Sequence, residues 1–361
     1  MVQHTVISNR FPGSKTLTNT PTGEALRPAV MYSHWNKGRD AVVFPCPSEN
    51  LALYQETLQR YYAFKVSNCS HVLGRVPNDL VHAFDFSGAG WTVNHQTQQL
   101  ILGASLNPTS TTSSGTWTTE TLTFLMESTL RRMSQSPHPQ LSRLSRAWRN
   151  ETFPICHPET GKILLEIERS ASALFGILTS GVQLTCYVED PDRGLLLWIA
   201  RRSLTKQTYP GLLDNTAAGG LETRFWERPV EAVVREAVEE ASLDEDLVRR
   251  GLRTGGAISY YHVKRPSEGC DAGPLQPEVE YVYELRLDPS TMPVPGDGEV
   301  EGFYLWTVEE VMRALQEGEF KLNSAVAVID FLVRHGVVTS ENEAGYLEIV
   351  SRLHRRLEVG F

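Results

Sequence analysis

The chain has 361 residues, enough for more than one domain-sized core, and its 41% apolar and 21% charged residues are ordinary globular values. A net charge of −9 argues against a broad nucleic-acid-binding surface, and the longest apolar run near the core, Leu195 to Ala200, is far short of the ~20 residues a membrane-spanning helix needs. Small molecules are therefore the expected partners. The five cysteines form no C-x-x-C pair, so spacing suggests neither a zinc site nor a disulfide framework, and a reducing, cytoplasmic compartment is the natural reading.

Residues 1 to about 50 mix Ser, Thr, Pro and Asn with no sustained period and read as a loop-rich leader. Arg10, Lys15, Arg27, Lys37 and Arg39 against Glu24 and Asp40 give it a faint likeness to an organelle transit segment, without the amphipathic Arg-rich pattern of one. From there the pattern firms. Leu51, Leu53, Tyr54 and Leu58 suit a short helix; Tyr61 to Val66 and His71 to Arg75 are apolar segments; Trp91 to Leu102 is a strand pair around a polar turn. A Ser/Thr-rich loop covers Asn107 to Thr119. Leu122, Leu125, Met126 and Leu130 then predict a helix over Glu120 to Met133, and Ser134 to Pro139 breaks the pattern. A boundary near 145 to 155 separates an α+β accessory domain, 51–147, from a second domain, 148–361.

In the second domain strands and helices alternate. Ile163 to Ile167, Leu184 to Val188, Leu195 to Ala200, Ile258 to Val263, Val279 to Leu287 and Phe303 to Thr307 read as strands. Pro229 opens a helix running to about Ala241, since its missing N–H would be unpaired in the first turn anyway. Further helices are predicted over Val308 to Gln316 and Ser324 to His335. The fold class is mixed α/β.

The helix from Pro229 carries Glu236, Glu239 and Glu240, a spacing that puts three carboxylates on one face. Like charges so placed repel by ~0.2–0.5 kcal/mol per pair. A solvated acidic face is one explanation; the other is a hard cation, Mg²⁺ or Mn²⁺, that neutralises them. Val230, Val233, Val234, Ala237 and Ala241 supply an apolar side to anchor the helix.

Gly219-Gly220-Leu221-Glu222-Thr223-Arg224-Phe225-Trp226-Glu227, followed by Arg235-Glu236-Ala237-Val238-Glu239-Glu240-Ala241-Ser242-Leu243, resembles the Nudix box, G-x5-E-x7-R-E-U-x-E-E-x-G-U with U a bulky aliphatic residue. The resemblance implies an α/β/α sandwich and Mg²⁺ bound by Glu236, Glu239 and Glu240, with Arg235 paired to Glu227. Two departures stand out: Ser242 replaces the last Gly, and the stretch from Gly220 to Glu227 is one residue longer, with Phe225-Trp226 where a Gly is usual. Trp148-Arg149-Asn150-Glu151, Glu168 to Gly176, Arg201 to Gly211, Leu213 to Thr216, Gln276 to Val279 and Asp297 to Glu301 are similar to the thiamine-pyrophosphokinase-related Nudix branch, over roughly residues 52 to 358. Members of that branch carry an N-terminal domain of their own and hydrolyse thiamine diphosphate and its oxidised or damaged analogues to monophosphates.

The implied reaction is attack of a metal-activated water on a diphosphate, with the protein mainly positioning the parts. Arg201, Arg202 and Lys206 are candidate phosphate contacts, and Trp226 a candidate stacking platform or apolar wall for the organic group. Glu278, Glu280, Glu299 and Glu301 are candidates for an extra ligand or the general base. Other readings stay open: a hydrolase of isoprenyl diphosphates, or a non-catalytic binding domain on the same scaffold. Lys206 to Gly211 with Asn215-Thr216 also resembles isopentenyl-diphosphate isomerase, but Ala217-Ala218-Gly219 follows where that family has a reactive Cys.

Overall fold

Asn50 starts the first described element: its side-chain oxygen accepts from the Leu53 N–H at 2.9 Å and caps α1 (Leu51–Leu58). This computed structural model describes residues 47, 50–87, 90–103, 117–263 and 273–359. The proposed leader and its basic residues lie outside the described residues, as does most of the Ser/Thr-rich loop. β1 (Tyr61–Val66) pairs antiparallel with β2 (Cys69–Pro77), from which α2 (Asn78–Ala83) leads on. β3 (Trp91–Asn94) and β4 (Gln99–Leu102) complete a sheet of order β2-β1-β4-β3, in which β1 and β4 are parallel.

α3 (Thr119–Ser134) buries Leu122, Met126, Thr129, Leu130 and Met133, one helical stripe. The indole N–H of Trp91 donates to Thr129 Oγ1 at 2.8 Å, so the polar atom on that stripe is satisfied. α4 (Pro139–Ala147) follows, then a hairpin of β5 (Thr152–Cys156) and β6 (Ile163–Glu168), and the single turn α5 (Ser172–Phe175). Phe64, Leu100, Met126, Phe153, Leu165 and Phe175 belong to one core, so the hairpin seals the first sheet.

The second sheet is built on β7 (Thr179–Asp190) and β8 (Gly194–Arg202), with the short β9 (Leu213–Asp214) and β10 (Ala217–Gly220). α6 (Pro229–Ala241) and α7 (Glu245–Gly251) lead into β11 (Arg253–Val263), β12 (Leu275–Arg286) and β13 (Val300–Thr307), followed by α8 (Val308–Glu317), α9 (Leu322–Arg334) and α10 (Tyr346–Leu353). The order is β11-β12-β7-β8-β13, with β7 and β12 parallel and the other pairs antiparallel. β7 is buried over its first ten residues because both faces are covered. Val182, Leu184 and Tyr283 pack with α6 on one face; Ile199, Val282 and Phe331 pack with α9 on the other. This is the expected mixed α/β sandwich with an α+β layer ahead of it. Among the described residues no helix is long and apolar enough to cross a membrane.

β7 changes partner along one edge. Residues Tyr187 to Asp190 pair with β8, whereas Gly181 to Leu184 pair with β10, which fills the gap where the two long strands diverge. That substitution of strands positions the glycines discussed below.

The first sheet meets α5 through two glycines. A Cβ on Gly74 would lie 2.3 Å from the Phe175 carbonyl oxygen, and one on Gly176, at φ +57°, 2.4 Å from that of Arg75. Gly176→Ala should therefore destabilise the protein by at least about 1–3 kcal/mol, the cost of a left-handed non-glycine backbone alone. Denaturant unfolding measures this; a loss below about 0.5 kcal/mol would mean the two backbones separate freely.

Candidate metal and active site

α6 begins at Pro229 and ends at Ala241, capped by Ser242, which adopts φ +51° while its N–H donates to Val238 O and that of Leu243 to Ala237 O. This is the left-handed helix end that glycine usually provides, so the serine departure leaves the geometry intact. Ala232, Val233, Val234, Ala237 and Ala241 face the sheet. Val230, expected on that side, is 45% exposed: it lies in the first turn on the solvent side, and Ala232 takes the inward place.

Four residues apart, Glu236 and Glu240 both turn inward, 9% and 7% exposed, against β10. A Cβ on Gly219 would sit 2.1 Å from Glu236 Oε1, so only glycine admits that carboxylate. The Ala218 N–H donates to Glu240 Oε2 at 2.9 Å. Glu239 points outward, its side chain 49% exposed. Across from the helix, Asp297 and Glu299 bring carboxylate oxygens within 4.8 Å of each other and of Glu240.

Burial pushes the Glu236 carboxyl up to about 7, against the pull of Arg235. Glu240 is raised well above its usual range by burial first, then by Glu236 and Asp214. Carboxylates enclosed together with too little positive charge to offset their burial, and offering only oxygen, fit a hard divalent cation that would reverse both shifts.

Arg235 makes the local counter-charge. Its Nη2 lies 2.7 Å from Glu236 Oε1 and 3.2 Å from Glu222 Oε1, and its Nη1 3.4 Å from Glu239 Oε2. Glu227 is exposed, and the bridge that box spacing assigns to it is made by Glu222. The lengthened loop explains the exchange. A 3-10 turn over Thr223–Phe225 carries Glu227 outward, Arg224 grips Glu222 at 2.9 and 3.1 Å, and the Phe225 ring lies 5.1 Å from the Arg235 guanidinium. Glu222 directly follows the Gly219-Gly220-Leu221 run, the one sequence signal that could have found it.

The basic residues divide in role. Arg202 is 7% exposed, and its guanidinium donates to Asp214 Oδ2 at 2.6 Å, Tyr209 O at 3.0 Å and Thr208 O at 2.9 Å. It staples its own loop, which corrects its reading as a phosphate clamp. Arg201 donates to Gly211 O at 2.8 Å and lies 5.7 Å over the Tyr304 ring. Lys206 pairs with Glu299, which brings its charge to the carboxylate group. Burial raises Asp214, but Lys321 and Arg202 outweigh it and hold the carboxyl below the usual range, with Ser324 hydrogen-bonded to its other oxygen. Lys321 and Ser324 had no signal in the sequence.

Glu278 and Glu280 belong elsewhere. With Val282 they lie on the α9 face of β12, where the Tyr260 hydroxyl is 2.7 Å from Glu278 Oε2 and 3.2 Å from Glu280 Oε1, and Asn323 donates to Glu280 Oε1 at 3.1 Å. Glu301 is exposed. Of the four candidate acids, Glu299 alone joins the Glu240 cluster.

A cavity of about 210 Å³ opens beside this site, lined by Leu73, Ile155, His157, Ile177, Trp226 and Tyr281 among others. None of the clustered carboxylates lines it. Its link to them is Ser180, a wall residue whose carbonyl accepts from Leu221 N–H at 2.8 Å, next to the Gly219-Gly220 pair. Trp226, half-buried and packed on the α6 core, thus faces the cavity.

The comparisons bear on this arrangement. The family model described as the NUDIX domain matches residues 180–326, the span from β7 into α9 that includes every carboxylate of the cluster. Residues 180–326 form a Nudix domain. An uncharacterized protein of Saccharomyces cerevisiae is 39% identical over 217 residues, 59% of this chain and 62% of that protein. Nudix hydrolase 20, chloroplastic, of Arabidopsis thaliana is 36% identical over 209 residues, 58% of this chain and 53% of the relative. The aligned stretches thus span less than two thirds of either relative. A crystal structure from Deinococcus radiodurans, DR0079, is similar over 50% of this chain and 97% of its own, at 21% identity and a TM-score of 0.36.

Glu280 in the Nudix domain gives a pH prediction. It is 5% exposed, and burial, then Glu278, pushes its carboxyl up to about 7 from the ordinary 4.5. A folded-state pKa above the unfolded one stabilises most below the unfolded value, and the benefit is lost as pH rises through the folded value. Unfolding free energy should fall between about pH 4.5 and pH 7, and Glu280→Gln should flatten that slope. An unchanged slope in the variant would show that Glu280 is ionised throughout.

Proposed function

We propose that the chain is a divalent-metal-dependent Nudix hydrolase that cleaves the diphosphate linkage of a small organic diphosphate to the monophosphate. The observation that carries this is the enclosure of Glu236 and Glu240 against a glycine strand, with Asp297 and Glu299 facing them from the opposite loop. Thiamine diphosphate and its oxidised analogues are the substrates we favour, on the branch resemblance of the sequence and on the aromatic walls of Trp226 and Tyr281, which suit a flat cationic ring. The apolar part of the same lining, Leu73, Ile155 and Ile177, supports isoprenyl diphosphates as the second reading.

Glu236, Glu239 and Glu240 would hold Mg²⁺ or Mn²⁺, with Asp297 and Glu299 at its far side; a bound ion supplies charge neutralisation and lowers the pKa of water at neutral pH. The protein's own residues do the positioning. The Ala218 N–H fixes the Glu240 rotamer, and Arg235 spans Glu222, Glu236 and Glu239, so helix and loop move as one piece. Burial raises Glu299, but Lys206 outweighs it and holds the carboxyl below its usual range. Glu299 is therefore ionised at neutral pH and available to the ion, while Lys206 brings positive charge to the same group. We propose that 51–147 serves as an accessory unit whose sheet, with the β5–β6 hairpin, completes the cavity for the organic group.

Release of phosphate and pyrophosphate, measured with Mg²⁺ across thiamine, nucleoside and isoprenyl diphosphates, tests the proposal directly. Absence of turnover on every member, with Mg²⁺ bound, would refute it. Glu239→Gln and Glu240→Gln should each lower turnover by at least the roughly 10–100-fold that damage to a metal site costs, with little change in melting temperature for exposed Glu239. Full activity in both would remove these residues from the reaction.

Trp226→Ala should raise KM for the preferred substrate more than it lowers kcat, the pattern of lost uniform binding. The ring's contribution is on the order of 0.5–2 kcal/mol, or a few-fold to roughly 30-fold in KM. Equal losses on all substrates, together with a lower melting temperature, would make Trp226 a packing residue only.

A further inference from the structure

Away from the carboxylates, the fold assembles a second donor set of different chemistry. Cys69 and His71 are two residues apart on β2 and so share one face of that strand. His157 comes from the turn after β5, closed by His157 N–H to Lys162 O at 2.8 Å and Gly161 N–H to His157 O at 2.9 Å. One donor atom of each of the three lies within 4.8 Å of the others. We propose that Cys69, His71 and His157 bind a borderline divalent cation of the Zn²⁺ class, at a site separate from the Mg²⁺-type carboxylates.

The distances suit that ion. Zn–S of about 2.3 Å and Zn–N of about 2.0–2.1 Å at a tetrahedral angle put sulfur and nitrogen about 3.6 Å apart. Cys69 Sγ and His71 Nδ1 are 3.8 Å apart, and the His71 and His157 ring centres 5.5 Å. The outer contacts match as well. His71 Nε2 lies 3.4 Å from Glu159 Oε1, so its N–H faces a carboxylate and the Nδ1 lone pair is left toward Cys69, the arrangement that orients metal-binding histidines. The Glu159 N–H also lies 3.3 Å from His157 Nδ1, so the same turn residue orients both rings. A thiolate and two imidazoles select a softer ion than the all-oxygen cluster does, so the two sites sort metals by ligand type. With three protein ligands the fourth position is exchangeable. The ion would fasten β2 of the first sheet to the hairpin turn and, through His157, form part of the cavity's rim.

The test uses the full chain, stripped with a chelator and held in excess Mg²⁺ to fill the carboxylate cluster, then titrated with Co²⁺ as an optical stand-in. One equivalent should give a thiolate-to-cobalt charge-transfer absorption that Zn²⁺ displaces. His157→Gln, on a surface turn, should weaken that binding by roughly 10-fold or more, and Cys69→Ser should abolish the band. Cys156→Ser and Glu239→Gln should keep it. No charge-transfer band in the parent chain would overturn the site, as would a band that survives His157→Gln at full affinity or vanishes in Glu239→Gln. Because Cys69 is buried and its serine variant can fail to fold, the His157 variant decides the matter alone. Loss of hydrolysis with the cobalt band intact would instead count against the proposed function.

Discussion

The contact between Gly219 and the Glu236 carboxylate sets the terms for the rest of the domain. It forces a helix bearing two inward acids to lie against a strand of alanines and glycines, where the desolvation of each charge raises its proton affinity. Everything near it compensates or exploits that burden. Arg235 offsets part of the charge, the Ala218 N–H spends its hydrogen bond on Glu240 when a carbonyl could have taken it, and the Asp297 loop adds still more negative charge. A protein selected for stability alone would bury leucines here.

The sheet accommodates this through the divergence of β7 and β8. Had β8 paired along the whole of β7, a full set of side chains would stand where Gly219 now lets Glu236 in. A neighbouring acid, near enough to act on Glu240, meets a related problem differently. Asp214 is enclosed by Arg202, Lys321 and Ser324, so a buried acid is matched by cations and its proton affinity falls. The contrast between matched Asp214 and unmatched Glu240 separates a structural ion pair from a site that asks for an added ion.

Much of this was legible in the sequence, and the exceptions have physical causes. α6 announced itself through Pro229, its apolar stripe and the spaced acids, and the long strands of the second sheet through apolar runs with turn residues between them. β10 did not, because Ala-Ala-Gly-Gly has little strand propensity of its own and is a strand only where β7 lends it an edge. β5 was hidden by Pro154, tolerable in a two-stranded hairpin, and α4 by Pro139, which starts that helix where it was taken to end a pattern. Among site residues, Glu236, Glu239 and Glu240 could be named from spacing because a helix makes neighbours of residues close in sequence. Lys321, Ser324 and the cysteine–histidine group could not, since long-range folding alone brings them together.

The cavity's construction has an evolutionary side. Leu73 comes from the first sheet, Ile155 and His157 from the hairpin, and Trp226 and Tyr281 from the Nudix domain, so its shape is shared property among three segments. A Nudix domain carried into another protein without the residues ahead of it would bring its carboxylates along but only part of this wall. Under the proposed function, divergence among relatives would retune which organic group is accepted through residues of this wall, leaving the carboxylates untouched while the choice of substrate drifts.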